Sequence, residues 1–267
     1  MLAGLSPARR RLVLAVVTLV ALAGVLTAVL VVRAGSAGSS PGPVDERPGP
    51  VLLVPGYGGS TASLGPLADL LTAAGRDATV VDLPGDGTGD LNAAARALGS
   101  AAKAALERSG AHSVDVVGYS AGGLIARLWA ADGGDGIARR VVTLGSPHHG
   151  TTLADLAGSI APDGCPEACR QMATGSDLLR RLNVRDETPD GATWVSIWSD
   201  QDEMVTPPDS ARLEGALNVS VQSVCPEARV SHGELPRNPM VQQMVLTELR
   251  AGGPVNFGPG DCRRLSG

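Results

Sequence analysis

Val114-Asp115-Val116-Val117-Gly118-Tyr119-Ser120-Ala121-Gly122-Gly123-Leu124-Ile125-Ala126-Arg127-Leu128 reads as a short buried strand, a turn of small residues and then a helix. At the turn, Gly118-Tyr119-Ser120-Ala121-Gly122 fits the pattern G-x-S-x-G. Glycine on either side of the serine lets strand and helix approach closely, so the backbone can hold Ser120 strained and exposed. A serine so held can be activated by a neighbouring base and supported by N–H groups at the start of the helix. The pattern is weak without its context. Gly38-Ser39-Ser40-Pro41-Gly42 fits it too, but has no strand before it and no helix after it, and is discarded.

Working outward, Val51-Leu52-Leu53-Val54 has the wholly apolar character of a strand covered on both faces, and it ends in Pro55-Gly56-Tyr57-Gly58-Gly59. Helical spacing runs from Leu64 to Ala74 and from Leu91 to Arg108, with a strand at Ala78–Asp82 between them. Further strands are expected at Arg140–Gly145, Thr193–Trp198 and Ala216–Val221, and a closing helix at Pro239–Arg250. Strands alternating with helices imply right-handed crossovers. The expected fold is α/β, with about six mostly parallel strands and helices on both faces. Ligands of such sheets bind at the carboxyl ends of the strands.

The chain has 267 residues, 43% of them hydrophobic, enough for one sizeable core. Its net charge of −5, with no dense basic block beyond the N-terminus, offers nucleic acid nothing to hold, and a monomer is expected. Arg9-Arg10-Arg11 precedes an uncharged run from Leu12 to Val32, 21 residues, which as a helix would span about 30 Å. The charge asymmetry points to a cytoplasmic N-terminus and an exported domain. Residues 1–33 are therefore read as a signal-anchor holding the protein to the membrane, or as a signal peptide, which leaves a secreted domain. Residues 34–49 form a Gly/Ser/Pro-rich linker, and 50–267 the folded domain.

A serine nucleophile needs a base, and the base an orienting carboxylate. His112 precedes a strand and belongs to the far edge of the sheet. His148 and His149 follow a strand, but the acids before it, Asp132 and Asp135, lie at the wrong end, so both are read as loop structure or pocket lining. His232, between the last strand and the last helix, is the expected base. For the acid, Asp200, Asp202 and Glu203 compete in Ser199-Asp200-Gln201-Asp202-Glu203-Met204-Val205-Thr206-Pro207.

These pieces resemble the small secreted bacterial triacylglycerol lipases of the α/β-hydrolase superfamily, the minimal kind with little or no lid. The resemblance covers about Val51 to Leu249. It rests on Gly56-Tyr57-Gly58-Gly59, the turn around Ser120, Thr143-Leu144-Gly145-Ser146-Pro147-His148, Ser196-Ile197-Trp198-Ser199-Asp200-Gln201-Asp202 and Ser231-His232. It implies the chain order Ser, acid, His, with Asp202 as the acid because Asp202 to Pro207 resembles a D-x-x-V-x-P loop. It also implies an oxyanion hole from the N–H groups of Tyr57 and Ala121, fatty acyl ester hydrolysis and no cofactor. Pro55 departs from the family, which usually carries His there.

Four cysteines in an exported chain are expected to pair. Cys165 and Cys169 bracket three residues and suit a local bridge, leaving Cys225 with Cys262, although three pairings are formally possible. A zinc site fits less well, since no histidine pair stands at ligand spacing, and no metal is expected. The function expected is that of a lipase or esterase acting on acyl-ester lipids. The alternatives are an envelope acyltransferase or thioesterase of the same fold, or an inactive surface binding protein.

Overall fold

A computed structural model describes residues 47–266 except Arg185. The run Leu12–Val32 and most of the linker lie outside the described residues. Among those described, no helix is long and apolar enough to cross a membrane.

The strands are β1 (Val51–Val54), β2 (Ala78–Val80), β3 (Val114–Tyr119), β4 (Ala138–Leu144), β5 (Thr193–Trp198) and β6 (Leu217–Ser220). They form one six-stranded sheet in the order β2-β1-β3-β4-β5-β6, and every pairing is parallel. Several strand ends differ from the sequence reading by a residue or two. The second strand stops at Val80, the fourth runs from Ala138 to Leu144, and the sixth starts at Leu217. Val221 opens a helix because the Ser220 hydroxyl caps it by accepting the Ser223 N–H.

Alternation along β1 sends Leu52 and Val54 to one core and Val51 and Leu53 to the other. Against the first face pack α2 (Leu91–Ser109) and α3 (Ala121–Ala131), joined by three short helices: α4 (Thr152–Ile160), α5 (Glu167–Gln171) and α6 (Asp177–Asn183). Against the second pack α1 (Gly65–Ala73), α7 (Val221–Val224), α8 (Pro239–Glu248) and α9 (Cys262–Ser266). The cores are made mainly of Ala, Val and Leu, with Ile125, Trp129, Trp194, Ile197 and Met244 among them. Ala94, Ala95, Ala102 and Ala105 let α2 lie close to the sheet.

The amino end of the sheet is held by charge. Asp115, fully buried in β3, accepts from Arg76 at 2.6 Å and from Arg139 at 2.7 and 2.8 Å. Arg139 also donates to the carbonyls of Leu249 and Arg250, so the end of α8 is tied to the same carboxylate.

Two disulfides close the chain's loops. Cys165–Cys169, at a separation of 4, joins the turn after α4 to α5, and Cys225–Cys262, at a separation of 37, ties α9 to the loop that leads to His232.

Candidate active site

Ser120 sits between the end of β3 and the first residue of α3 at φ 54°, the only non-glycine with positive φ among the described residues. That conformation costs an L-residue on the order of 1–3 kcal/mol and persists because the surroundings fix it. The neighbouring glycines do the fixing. A Cβ on Gly118 would lie 2.6 Å from backbone atoms of Gly122 and Gly123, and one on Gly122 would run into the Val54 carbonyl. Strand, turn and helix therefore touch where only hydrogen fits. The Ser120 N–H donates to the Leu144 carbonyl at 2.8 Å, setting the turn against β4.

His232 lies in a 3₁₀ turn after β6, opened by Ser231 and Glu234 in a reciprocal cap. Its Nε2 is 3.0 Å from Ser120 Oγ, and its Nδ1 is 2.7 Å from Asp202 Oδ2. Asp202 is buried, and its other oxygen accepts the N–H groups of Met204 and Val205 at 2.9 and 2.8 Å. A carboxylate so placed accepts the Nδ1–H, which fixes the tautomer and leaves the Nε2 lone pair facing the serine hydroxyl. The Ser120 O–H then donates to Nε2.

Of the competing acids, Asp200 is exposed and accepts from the Trp198 indole and the Ser220 hydroxyl, away from the imidazole. Glu203 reaches His232 at the main chain, accepting its N–H at 3.1 Å.

Sequence reasoning missed two residues beside the imidazole. The Tyr119 hydroxyl donates to the His232 carbonyl at 3.2 Å, and its ring centre lies 5.2 Å from the imidazole. Burial, reinforced by the charge of Asp202, pushes that phenol up to about 12, so it stays a donor. Gly145, at φ 53°, follows β4 directly. A Cβ there would come 2.5 Å from Leu235, 3.0 Å from Asp202 Oδ2 and 3.3 Å from His232 Nδ1. A glycine straight after a strand was the available signal for it.

Gly56 packs against the serine; a Cβ there would lie 3.0 Å from Ser120 Cβ. Tyr57 follows on this loop. Ala121, as the first residue of α3, has an N–H with no intrahelical acceptor. Pro55 is buried beneath this loop.

His148 and His149 are elsewhere. His148 is fully buried; burial, then the nearby Arg127 charge, holds its pKa well below 6.5. A neutral His148 Nε2–H donates to Thr143, Thr143 to Ser196, and Ser196 to the Ala211 carbonyl, a relay that ties β4 to β5. The half-exposed His149 pairs with Glu187 at 2.7 Å. His112 is exposed at the opposite edge.

A crevice of about 260 Å³ opens at Ser120 and His232, walled chiefly by Leu153, Ala154, Met172 and Val205. Among the described residues no cluster of His, Cys, Asp and Glu is placed to hold a metal ion.

Residues 49–164 match the alpha/beta hydrolase fold family. The structure is similar to that of lipase B from Aspergillus fumigatus, with TM-score 0.65 and 20% identity, over 85% of this chain and 56% of that one. It is also similar to the mature form of the Bacillus licheniformis lipase BlEst2, with TM-score 0.65 and 21% identity, over 78% of this chain and 94% of that one. A metagenomic carboxyl esterase gives TM-score 0.52 and 15% identity, over 64% and 62% of the two chains. This chain spans just over half the length of the Aspergillus enzyme. With its six parallel strands, its covering helices and a serine at the turn after β3, the chain has the α/β-hydrolase fold.

Proposed function

We propose that the protein is a serine hydrolase that cleaves carboxylic esters of fatty acyl chains. The observation carrying this reading is the unbroken line from Ser120 Oγ through the two ring nitrogens of His232 to Asp202, at 3.0 and 2.7 Å. In this reading Ser120 attacks the ester carbonyl while His232 Nε2 takes its proton, and Asp202 stabilises the imidazolium. The N–H groups of Tyr57 and Ala121 hold the oxyanion. His232 returns its proton to the leaving alcohol, and water, activated by the same imidazole, releases the acid.

The apolar wall of the crevice supports an acyl chain as the group bound there, because only apolar contact is on offer along Leu153, Ala154, Met172 and Val205. The arginine cluster and apolar run ahead of the domain favour work outside the cytoplasm, tethered to a membrane or released from it.

The experiment is hydrolysis of p-nitrophenyl esters from acetyl to palmitoyl, with Ser120→Ala as the blank, together with fluorophosphonate labelling. The wild type is expected to hydrolyse the esters and to label at Ser120. Ser120→Ala should lose several orders of magnitude in rate. Full activity in that variant, or folded wild type that neither hydrolyses nor labels, would overturn the reading.

A further inference from the structure

The helix α4 carries Leu153, Leu156, Ala157 and Ile160 at the i, i+3, i+4, i+7 spacing of a single helical face. An amphipathic helix ordinarily turns such a face to the core. Here the core receives Ala154, while Leu153 is 40% exposed, Leu156 55% and Ile160 74%.

This ridge is not a frayed end. The Thr151 hydroxyl caps the helix by accepting the Leu153 N–H and itself donates to the Met204 carbonyl at 2.7 Å. Asp155, the helix's one charge, is turned onto Thr174, accepting its N–H and its hydroxyl at 2.9 Å. The Cys165–Cys169 bridge closes the chain just beyond. The ridge is thus held outward, with its one charge occupied elsewhere.

Its position gives it a use. Leu153 both begins the ridge and walls the crevice, and Tyr57 and Met204, also exposed, stand at the same crevice. An apolar collar therefore runs from the serine out onto α4. The collar's charge selects its occupant. No Lys or Arg occurs between Arg140 and Arg170, while Asp155, Asp163 and Glu167 do, in a chain of net charge −5. An anionic surface would be repelled, whereas an uncharged one costs nothing electrostatically and receives the leucines and isoleucine.

We propose that α4 is a docking ridge for an uncharged lipid surface, which seats the mouth of the crevice on the aggregate that supplies the acyl ester. This deepens the hydrolase reading and rests on it for the word substrate. Contact itself can be read without turnover.

The test uses the full-length chain carrying Ser120→Ala, with Ile160→Cys labelled by a polarity-sensitive fluorophore. A second protein carries the label at His112→Cys, on the opposite edge of the sheet. Triolein emulsion coated with phosphatidylcholine is expected to shift the emission at 160 to shorter wavelength and to leave that at 112 unmoved, and Leu156→Ser should diminish the shift. Any one of four results overturns the proposal: no shift at 160, an equal shift at 112, a larger shift with phosphatidylglycerol vesicles, or an emission already shifted without lipid. The last would mean that another part of the chain or a second copy covers the ridge. Since the serine is absent throughout, failure of the hydrolase reading leaves these outcomes unchanged and is seen separately in the ester assay.

Discussion

Tyr119 and His232, 113 residues apart, are joined by a hydrogen bond from the tyrosine hydroxyl to the histidine's own carbonyl. The residue before the serine thereby sets the height of the imidazole over it. Tyr119→Phe keeps the ring and removes only this bond, with a loss of about 0.5–1.5 kcal/mol. We expect kcat on a soluble ester to fall from a few-fold to about tenfold with KM little changed, and Tyr119→Ala to fall further. Equal kcat in Tyr119→Phe and wild type would remove the hydroxyl from the positioning of the base.

The two neighbouring aspartates separate cleanly. Asp202→Asn is expected to lower kcat by roughly 10³–10⁴, since an amide at Nδ1 favours the wrong tautomer. Asp200→Asn breaks only contacts to Trp198 and Ser220 and should stay within a few-fold of wild type. Steady-state kinetics of the two variants, side by side, decides between them.

Gly145→Ala places a methyl against Leu235, Asp202 and His232 at a backbone angle that disfavours any side chain. Activity should drop at least tenfold, and stability by about 1 kcal/mol or more. Thermal unfolding measured with the ester assay distinguishes a displaced imidazole from general unfolding.

Asp115→Asn leaves Arg76 and Arg139 facing an uncharged partner at the buried end of the sheet. The expected loss is about 3–5 kcal/mol, read as a lower Tm and a lower urea midpoint. The protein that remains folded should keep its kcat, because this cluster sits at the edge opposite Ser120.

Glu248 in α8 is fully buried, and burial raises its pKa from 4.5 to about 7. A folded pKa above the unfolded one gives stability that is whole below pH 4.5 and drains away as pH rises through about 7. The change is on the order of 3 kcal/mol. His149, raised by its hydrogen bond to Glu187, acts in the same direction, losing its contribution as pH climbs past 6.5. Glu248→Gln keeps a side chain that can accept the Val255 N–H. It should flatten the decline between pH 5 and 8, as measured by urea unfolding at each pH.

How much of this could be read in the chain itself depends on range. A strand such as Val51–Val54 is legible because burial on both faces leaves an unbroken apolar run. The turn at Ser120 is legible because its glycines are adjacent in sequence. The helices α4 to α6 are not legible in this way: each is short, and glycine, proline and two cysteines interrupt the segment that holds them. The meeting of Tyr119 with His232, and of Gly145 with Asp202, depends on contacts across the sheet edge that no local pattern encodes. The choice between Asp200 and Asp202 came from a loop resemblance. In the structure the two differ by burial, which sequence does not carry.

The bridge from Cys225 to Cys262 divides the crevice's two ends by what each depends on. The turn at Ser120 is built from its own neighbouring glycines, whereas the stretch that leads to His232 is fastened to α9, far along the chain. Reduction should therefore loosen the imidazole's surroundings and leave the serine's turn as it was.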